Sequence, residues 1–279
     1  ETITNIGTEL KKMLLTELDQ NELTSSDQVK NTLTQLIQSF DSVNGGFSNA
    51  PKFPQPHILE YLYYLKINYP RYQSLVLENQ LDQMIIQSIS KMSKGGIYDH
   101  IGGGFHRYTV DSKWQIPHFE KMLYDNALLS NIYSKFYEIY DQEWMKYISE
   151  DILRYLNKHM SNKLIGYYAA QDADSEGEEG KYYIWEFNEL RDKLTNDDLK
   201  MTTKIFSLSE KGNFENKNIL TKGLVDIYEN GGNKENVDEF NNLKSHLENI
   251  RNKKKQPFTD KKIITSWNGM TITALIQNY

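Results

Sequence analysis

The 279-residue sequence contains no cysteine. That excludes disulfides, thiolate metal sites and a cysteine nucleophile, and it fits a reducing compartment, so a cytoplasmic location is expected. No apolar run reaches the length of about 18 residues that spans a bilayer, and no membrane partner is expected. Glycine and proline are scarce at 16 and 6 residues, while 38% of the chain is apolar, which excludes collagen-like, low-complexity and wholly disordered chains. Positive charge is also in deficit: 32 Lys and Arg against 38 Asp and Glu leave a net charge of −6. That is the wrong sign for a protein that binds nucleic acid by neutralising phosphates.

What the chain has in quantity is aromatic residues, 12% of the total. These serve cores and sugar-stacking surfaces alike, so composition does not choose between them. The sequence opens on Glu1 rather than Met, and Ser266–Tyr279 reads as an unfinished helix. A piece of a longer protein is therefore expected, with an exposed apolar edge that favours self-association.

Helical spacing dominates. Ser25 and Gln28 make a capping box ahead of Val29, Leu33, Leu36, Ile37 and Phe40. A second helix is expected from Pro56 to Pro70, a third from Leu77 to a left-handed cap at Gly95–Gly96, and a fourth opened by Pro117. A fifth is expected to be capped by Asp141, two more lie between Phe187 and Ile205, another spans Val237–Ile250, and the last starts at Asn268. Strand patterning is confined to Gly166–Gln171 and Lys181–Trp185, as in one hairpin. The expectation is an all-α array of helical hairpins, with the long glycine-rich loops Gly45–Pro54, Gly95–Pro117 and Gly166–Gly180 on one face.

The motifs in these loops are long. Gly45-Gly46-Phe47 with Ala50-Pro51-Lys52-Phe53-Pro54, Gly95-Gly96-Ile97-Tyr98-Asp99, Gly102-Gly103-Gly104-Phe105-His106-Arg107-Tyr108, Pro117-His118-Phe119-Glu120-Lys121-Met122-Leu123-Tyr124-Asp125, Asp172-Ala173-Asp174-Ser175-Glu176-Gly177 and Ser266-Trp267-Asn268-Gly269 resemble the helical portion of the YyaL-type thioredoxin-domain proteins, the family that includes spermatogenesis-associated thioredoxin-like proteins. The resemblance implies an incomplete α/α toroid, similar to six-hairpin glycosidases and N-acylglucosamine 2-epimerases, with one small β-hairpin insertion. On that reading residues 1–279 form a single truncated toroid domain, and a thioredoxin-like domain and further helices lie outside it.

The chemistry-bearing residues concentrate in the same loops. His106 and His118 are candidate acid and base, being near-neutral titrators in glycine-flanked segments. On the expected helix from Pro117, His118, Met122 and Asp125 would share a face. Asp172 and Asp174 are candidate carboxylates of a glycosidase-like pair, whereas Glu178 and Glu179 suit a solvated hairpin tip. A calcium loop starting at Asp172 would need a bidentate Glu where Tyr183 stands. No metal or cofactor is expected. Arg107 could hold a carboxylate or hydroxyl-rich ligand. Phe47, Tyr98, Trp114 and Trp267 are candidate stacking surfaces, and Lys52, Glu120 and Asp125 complete the candidate binding set. Arg251 and Lys253–Lys255 read as a surface helix end.

Three functions are compatible with this pattern. A carbohydrate-active enzyme would be an epimerase or isomerase with two histidines, or a hydrolase with two carboxylates. A binding module would hold a sugar or peptide without a second titratable group. A scaffold would hold nothing.

Overall fold

A computed structural model gives the fold of the protein and describes residues 25–68, 75–162 and 164–279. Contacts separate the residues up to Phe40 from a second compact unit, Asp41–Tyr279. The first unit contributes one described helix, α1 (Ser25–Ser39), where the Ser25–Gln28 spacing predicts it. The second contains α2 (Pro56–Asn68), α3 (Leu75–Lys94), α4 (Leu123–Tyr140), α5 (Glu143–Tyr155), α6 (Phe187–Lys193), α7 (Asn196–Phe206), α8 (Gly223–Glu229), α9 (Lys234–Arg251) and α10 (Thr265–Gln277). Pro70, expected to end α2, lies outside the described residues. Helix α8 is unanticipated because its 7 residues are too short to show an apolar period. Among the described residues no helix is long and apolar enough to cross a membrane.

Helix α4 is the hub, packed against α2, α5 and α10. Leu123, Ala127, Leu129, Ile132, Tyr133 and Phe136 are buried around more than one of its faces, as a helix surrounded by others requires. It ends at Asp141, which takes a left-handed φ of 51° and donates its N–H to the Tyr137 carbonyl at 2.8 Å. Asp141 therefore closes α4 instead of capping α5, a role that acidic and amide side chains fill because they tolerate this backbone region. A second core gathers Trp185, Leu190, Phe206, Leu224, Phe240 and Leu247 from α6 to α9 and the loops before them.

The start of α4 differs from the expectation. Residues 117–122 are extended and the helix begins at Leu123. Burial alternates with period two: Pro117, Phe119 and Lys121 point inward, while His118 and Glu120 are half-buried. A lysine at an inward position disguises that alternation, and the apolar residues Phe119, Met122 and Leu123 mimic a helical stripe.

Strand structure is consequently broader than one hairpin. Strand β1 (Tyr108–Thr109) pairs antiparallel with β2 (Pro117–His118), placing Tyr108 opposite His118. Strand β3 (Lys121–Met122) pairs with β6 (Ala170–Gln171), which also pairs with β9 (Thr259–Asp260). Strands β4 (Ser161–Asn162) and β5 (Gly166–Tyr167) form a hairpin, as do β7 (Asp174–Ser175) and β8 (Glu178–Glu179). Lys181–Tyr183 is a turn, and Trp185 bridges Asn218 instead of forming a hairpin arm.

Two of the long loops, Gly45–Pro54 and Gly95–Pro117, are tied directly at one buried post, a second post ties the latter to β3 and the end of α9, and the third loop, Gly166–Gly180, pairs through β6 with β3. Lys52 and Thr109 exchange backbone hydrogen bonds of 2.8 and 2.9 Å. The Lys52 ammonium donates to Asp41 at 2.7 Å and to the Ser112 carbonyl at 2.9 Å, over the face of Trp114. At the second post, Asp99 accepts from Lys121 and Arg251 at 2.7 Å each. Burial alone would raise the Asp99 carboxyl, but Arg251 and Lys121 beside it hold it well below the usual range. Arg251 is thus a buried ion-pair partner, not a surface charge, because a buried carboxylate needs a cation. Gly95 and Gly96 serve this meeting by close approach. A Cβ on them would stand 2.3 Å from the Trp114 carbonyl oxygen and 2.1 Å from that of Gln115, and neither adopts the expected left-handed conformation.

Candidate functional site

The extended segments 106–109 and 117–121 turn Arg107, Tyr108, His118 and Glu120 away from the core. The backbone N–H of Arg107 donates to the Glu120 carbonyl at 2.8 Å, which locks the two segments side by side. The first turn of α4 adds Tyr124 and Asp125, and the first turn of α10 brings Trp267 against Tyr124, with ring centroids 4.8 Å apart.

Around this cluster the polar contacts form a chain. The imidazole of His118 stacks on Tyr108 at 5.0 Å, and Tyr108 in turn contacts the exposed ring of Phe53 at 4.8 Å. Its Nδ1–H donates to Glu179 Oε1 at 2.7 Å, and its Nε2 stands 3.9 Å from Glu120 Oε2. Glu120 Oε2 also accepts from Arg107 Nη1 at 3.0 Å. Arg107, Tyr108, His118, Glu120, Tyr124 and Trp267 are all half-buried.

Asp125 is the exception in burial, with only 7% of its surface exposed. Burial pushes its carboxyl up to about 7; Arg107 and the Tyr124 hydroxyl oppose the rise, and Glu120 adds to it. Among the described residues, Asp125 Oδ2 and Arg107 Nε are two of six buried side-chain polar atoms without a hydrogen-bond partner, and these two fall in one cluster. Orphaned buried groups are costly in a folded protein, so a donor and a carboxyl oxygen left open in one cluster are a feature that needs a cause.

The other sequence candidates go elsewhere. His106 is buried, donates Nδ1–H to the Phe119 carbonyl at 2.9 Å, and packs edge-on against Phe119 and Tyr183. Burial, with Lys121 nearby, holds its imidazole well below the usual range, so it stays neutral. Beside it lies a void of about 20 Å³ shared with Asp99 and His100, room for about one water. Phe47, Lys52, Tyr98 and Trp114 are likewise buried, with the Tyr98 hydroxyl donating to Asp151 and Trp114 Nε1 donating to the Asn44 carbonyl. These residues hold the loops together. Asp172 and Asp174 are exposed; Asp172 precedes the β7–β8 hairpin, and Asp174 stands across from Glu179 in its register without a described contact to His118. His118 and Asp125 thus belong to one cluster, while His106 and Asp172 do not join them.

Sequence reasoning passed over Tyr108 and Tyr124 and took Glu179 for a solvated hairpin tip, whereas its carboxylate accepts from His118. Glu179 lies 61 positions from His118, beyond any local pattern. Tyr108 carried a signal, since it adjoins Arg107 in the motif. A cavity of about 560 Å³, lined by Lys204, Ile205, Asp226, Ile227 and Glu239 among α7, α8 and α9, shares no residue with the cluster, which is a half-open surface. Among the described residues no group of three His, Asp or Glu side chains could hold a metal ion.

The class of protein is therefore a mostly helical fold with short strand hairpins, carrying a half-open cluster of cation, carboxyls, imidazole and aromatics. No family model matches the chain. Spermatogenesis-associated protein 20 of Homo sapiens is 33% identical over 272 residues, covering 86% of this chain and 34% of that protein. The Mus musculus protein of the same name is 39% identical over 196 residues, 64% of this chain and 24% of that one. An uncharacterised protein of Caenorhabditis elegans is 33% identical over 315 aligned residues, all of this chain and 42% of that protein. The homologues of this chain are thus spermatogenesis-associated protein 20 and its relatives, the family that the loop motifs resemble. The chain spans well under half the length of each. Among solved structures, a sugar epimerase from a ruminal bacterium matches at a TM-score of 0.42 and 16% identity, over 52% of this chain and 39% of that one. A cellobiose 2-epimerase of Bacillus thermoamylovorans matches at 0.42 and 13%, over 52% and 40%.

Proposed function

We propose that the Arg107–Glu120–Asp125–Trp267 cluster binds a hydroxyl-rich ligand, of which a carbohydrate is the natural class, and that His118 and Asp125 exchange protons with it. The observation that carries this reading is the pair of open atoms, Arg107 Nε and Asp125 Oδ2. A ligand hydroxyl that reached them as the half-buried Arg107 side chain shifts would accept from the first and donate to the second, or accept from a protonated Asp125. Trp267, half-buried beside Tyr124, offers an aromatic surface to the C–H face of a sugar ring.

The reaction class follows from the titratable groups. Asp125, pushed up to about 7, is available as an acid near neutrality, and the neutral form of His118 is a base. An acid and a base on one ligand suit proton transfer at a carbon next to a carbonyl, as in an epimerase or isomerase. Hydrolysis by Asp172 and Asp174 has less support, because both are exposed and neither has a described hydrogen bond or ion pair to Arg107, His118, Glu120 or Asp125. A sugar-binding module without chemistry is the second reading, supported by the half-open surface.

The test is a thermal-shift series on the full-length protein with aldoses, ketoses and polyols at millimolar concentration. Stabilisation by at least one of them is expected, and Trp267→Ala should abolish it while leaving the unliganded melting temperature within a few degrees, since the ring is only half-buried. No stabilisation by any sugar overturns the carbohydrate reading.

A further inference from the structure

We infer that Glu179 is a positioning residue: it fixes the His118 imidazole as the Nδ1–H tautomer and so makes Nε2 the atom that takes the proton from a bound ligand. The inference rests on the proton-transfer reading above and deepens it by giving the acidic hairpin a part in the site. A carboxylate accepts and cannot donate when ionised, so the 2.7 Å contact from Glu179 Oε1 puts the ring hydrogen on Nδ1. The lone pair is then on Nε2. That nitrogen has no described hydrogen bond, and Glu120, 3.9 Å away, is already engaged by Arg107.

Placement of Glu179 does not depend on its own side chain. Strands β7 and β8 pair Asp174 with Glu179, and the Gly180 N–H returns to the Ala173 carbonyl at 3.0 Å. Gly180 has a φ of +73° and lies so close to Phe119 that a Cβ there would meet the ring at 2.4 Å. Phe119 is the residue after His118, and it stacks on Tyr183 at 5.7 Å, so the hairpin base and the histidine strand share one packing unit. Ser175 further ties the hairpin to the Lys255 carbonyl at 2.6 Å. Glu179 is therefore delivered to Nδ1 by the backbone, while Tyr108 holds the ring plane from its stacked face.

The experiment needs no ligand and uses the full-length protein labelled with 15N-histidine. The His118 signals of the wild type should report the Nδ1–H tautomer, and Glu179→Ala should shift the population toward Nε2–H. In parallel, carbethoxylation of His118 by diethylpyrocarbonate, followed by peptide mass spectrometry, should slow about threefold in Glu179→Ala, the scale of a half-exposed charged pair. His246 is the internal reference, and Glu178→Ala, one residue away on the same hairpin, should change neither readout. An unchanged tautomer in Glu179→Ala, a faster modification from mere uncovering of the ring, or the same effect in Glu178→Ala overturns the inference. The sugar series can fail while this result stands, and the reverse, so the two readings are separable.

Discussion

Asp125→Asn should make the protein more stable above neutrality. The carboxyl ionises at 3.8 in an unfolded chain and at about 7 in the folded protein, because burial outweighs Arg107 and the Tyr124 hydroxyl. Between these values the folded state holds a proton that the unfolded state has released, so stability falls as pH rises through this window. Below the lower value the effect is absent. Above the upper one it reaches its full size, roughly three pH units at about 1.4 kcal/mol each, or about 4 kcal/mol. Asparagine has the shape of the protonated acid and no charge to desolvate. Urea unfolding of wild type and variant at about pH 4 and about pH 8 should therefore show the advantage of the variant growing by about 4 kcal/mol between the two conditions. Parallel pH dependence, or a variant less stable than wild type at the higher pH by the same margin as at the lower, would refute the burial argument. An ionised Asp125 that is free of cost would also leave the cluster without a neutral-pH acid.

His100 has the opposite sign. Burial pushes its imidazole down to about 4, so its contribution is present above 6.5 and is lost as pH falls toward 4, about 3 kcal/mol in all; His100→Gln should flatten that acid limb in unfolding titrations. Asp99→Ala leaves the ammonium of Lys121 and the guanidinium of Arg251 buried without their carboxylate, and should cost about 3–5 kcal/mol in urea unfolding. Gly180→Ala must displace Phe119 or the hairpin, and is expected to destabilise by about 1–3 kcal/mol while disturbing the His118 signals that Glu178→Ala leaves alone.

The sequence and the structure agree where the physics is local. Apolar residues at helical spacing place α2, α3, α5 and α9 to within a few residues, since burying a stripe against neighbours is what the spacing specifies. The segment 117–122 shows the limit. Its period-two pattern includes Lys121 as an inward residue, and nothing local says that Asp99, 22 positions earlier, will meet that ammonium. The site was legible to the same degree. Arg107, His118, Glu120, Asp125 and Trp267 stand out as motif residues and are brought together. His106 stands out equally, yet it is buried beside the half-buried Arg107, and no period-two pattern marks the difference, since Arg107 and Tyr108 both face outward. Glu179 could not be found from sequence, because only the pairing of β7 with β8 and the packing of Gly180 on Phe119 carry it to the histidine.

The most direct measurement of the central claim is solvent-deuterium incorporation at the carbon next to the carbonyl of an aldose that stabilises the full-length protein, followed by proton NMR in D2O. The account predicts exchange catalysed by the wild type, and its loss in both His118→Asn and Asp125→Asn with ligand-induced stabilisation mostly retained. A sugar that stabilises the wild type without any exchange, or exchange that survives both substitutions, would contradict it.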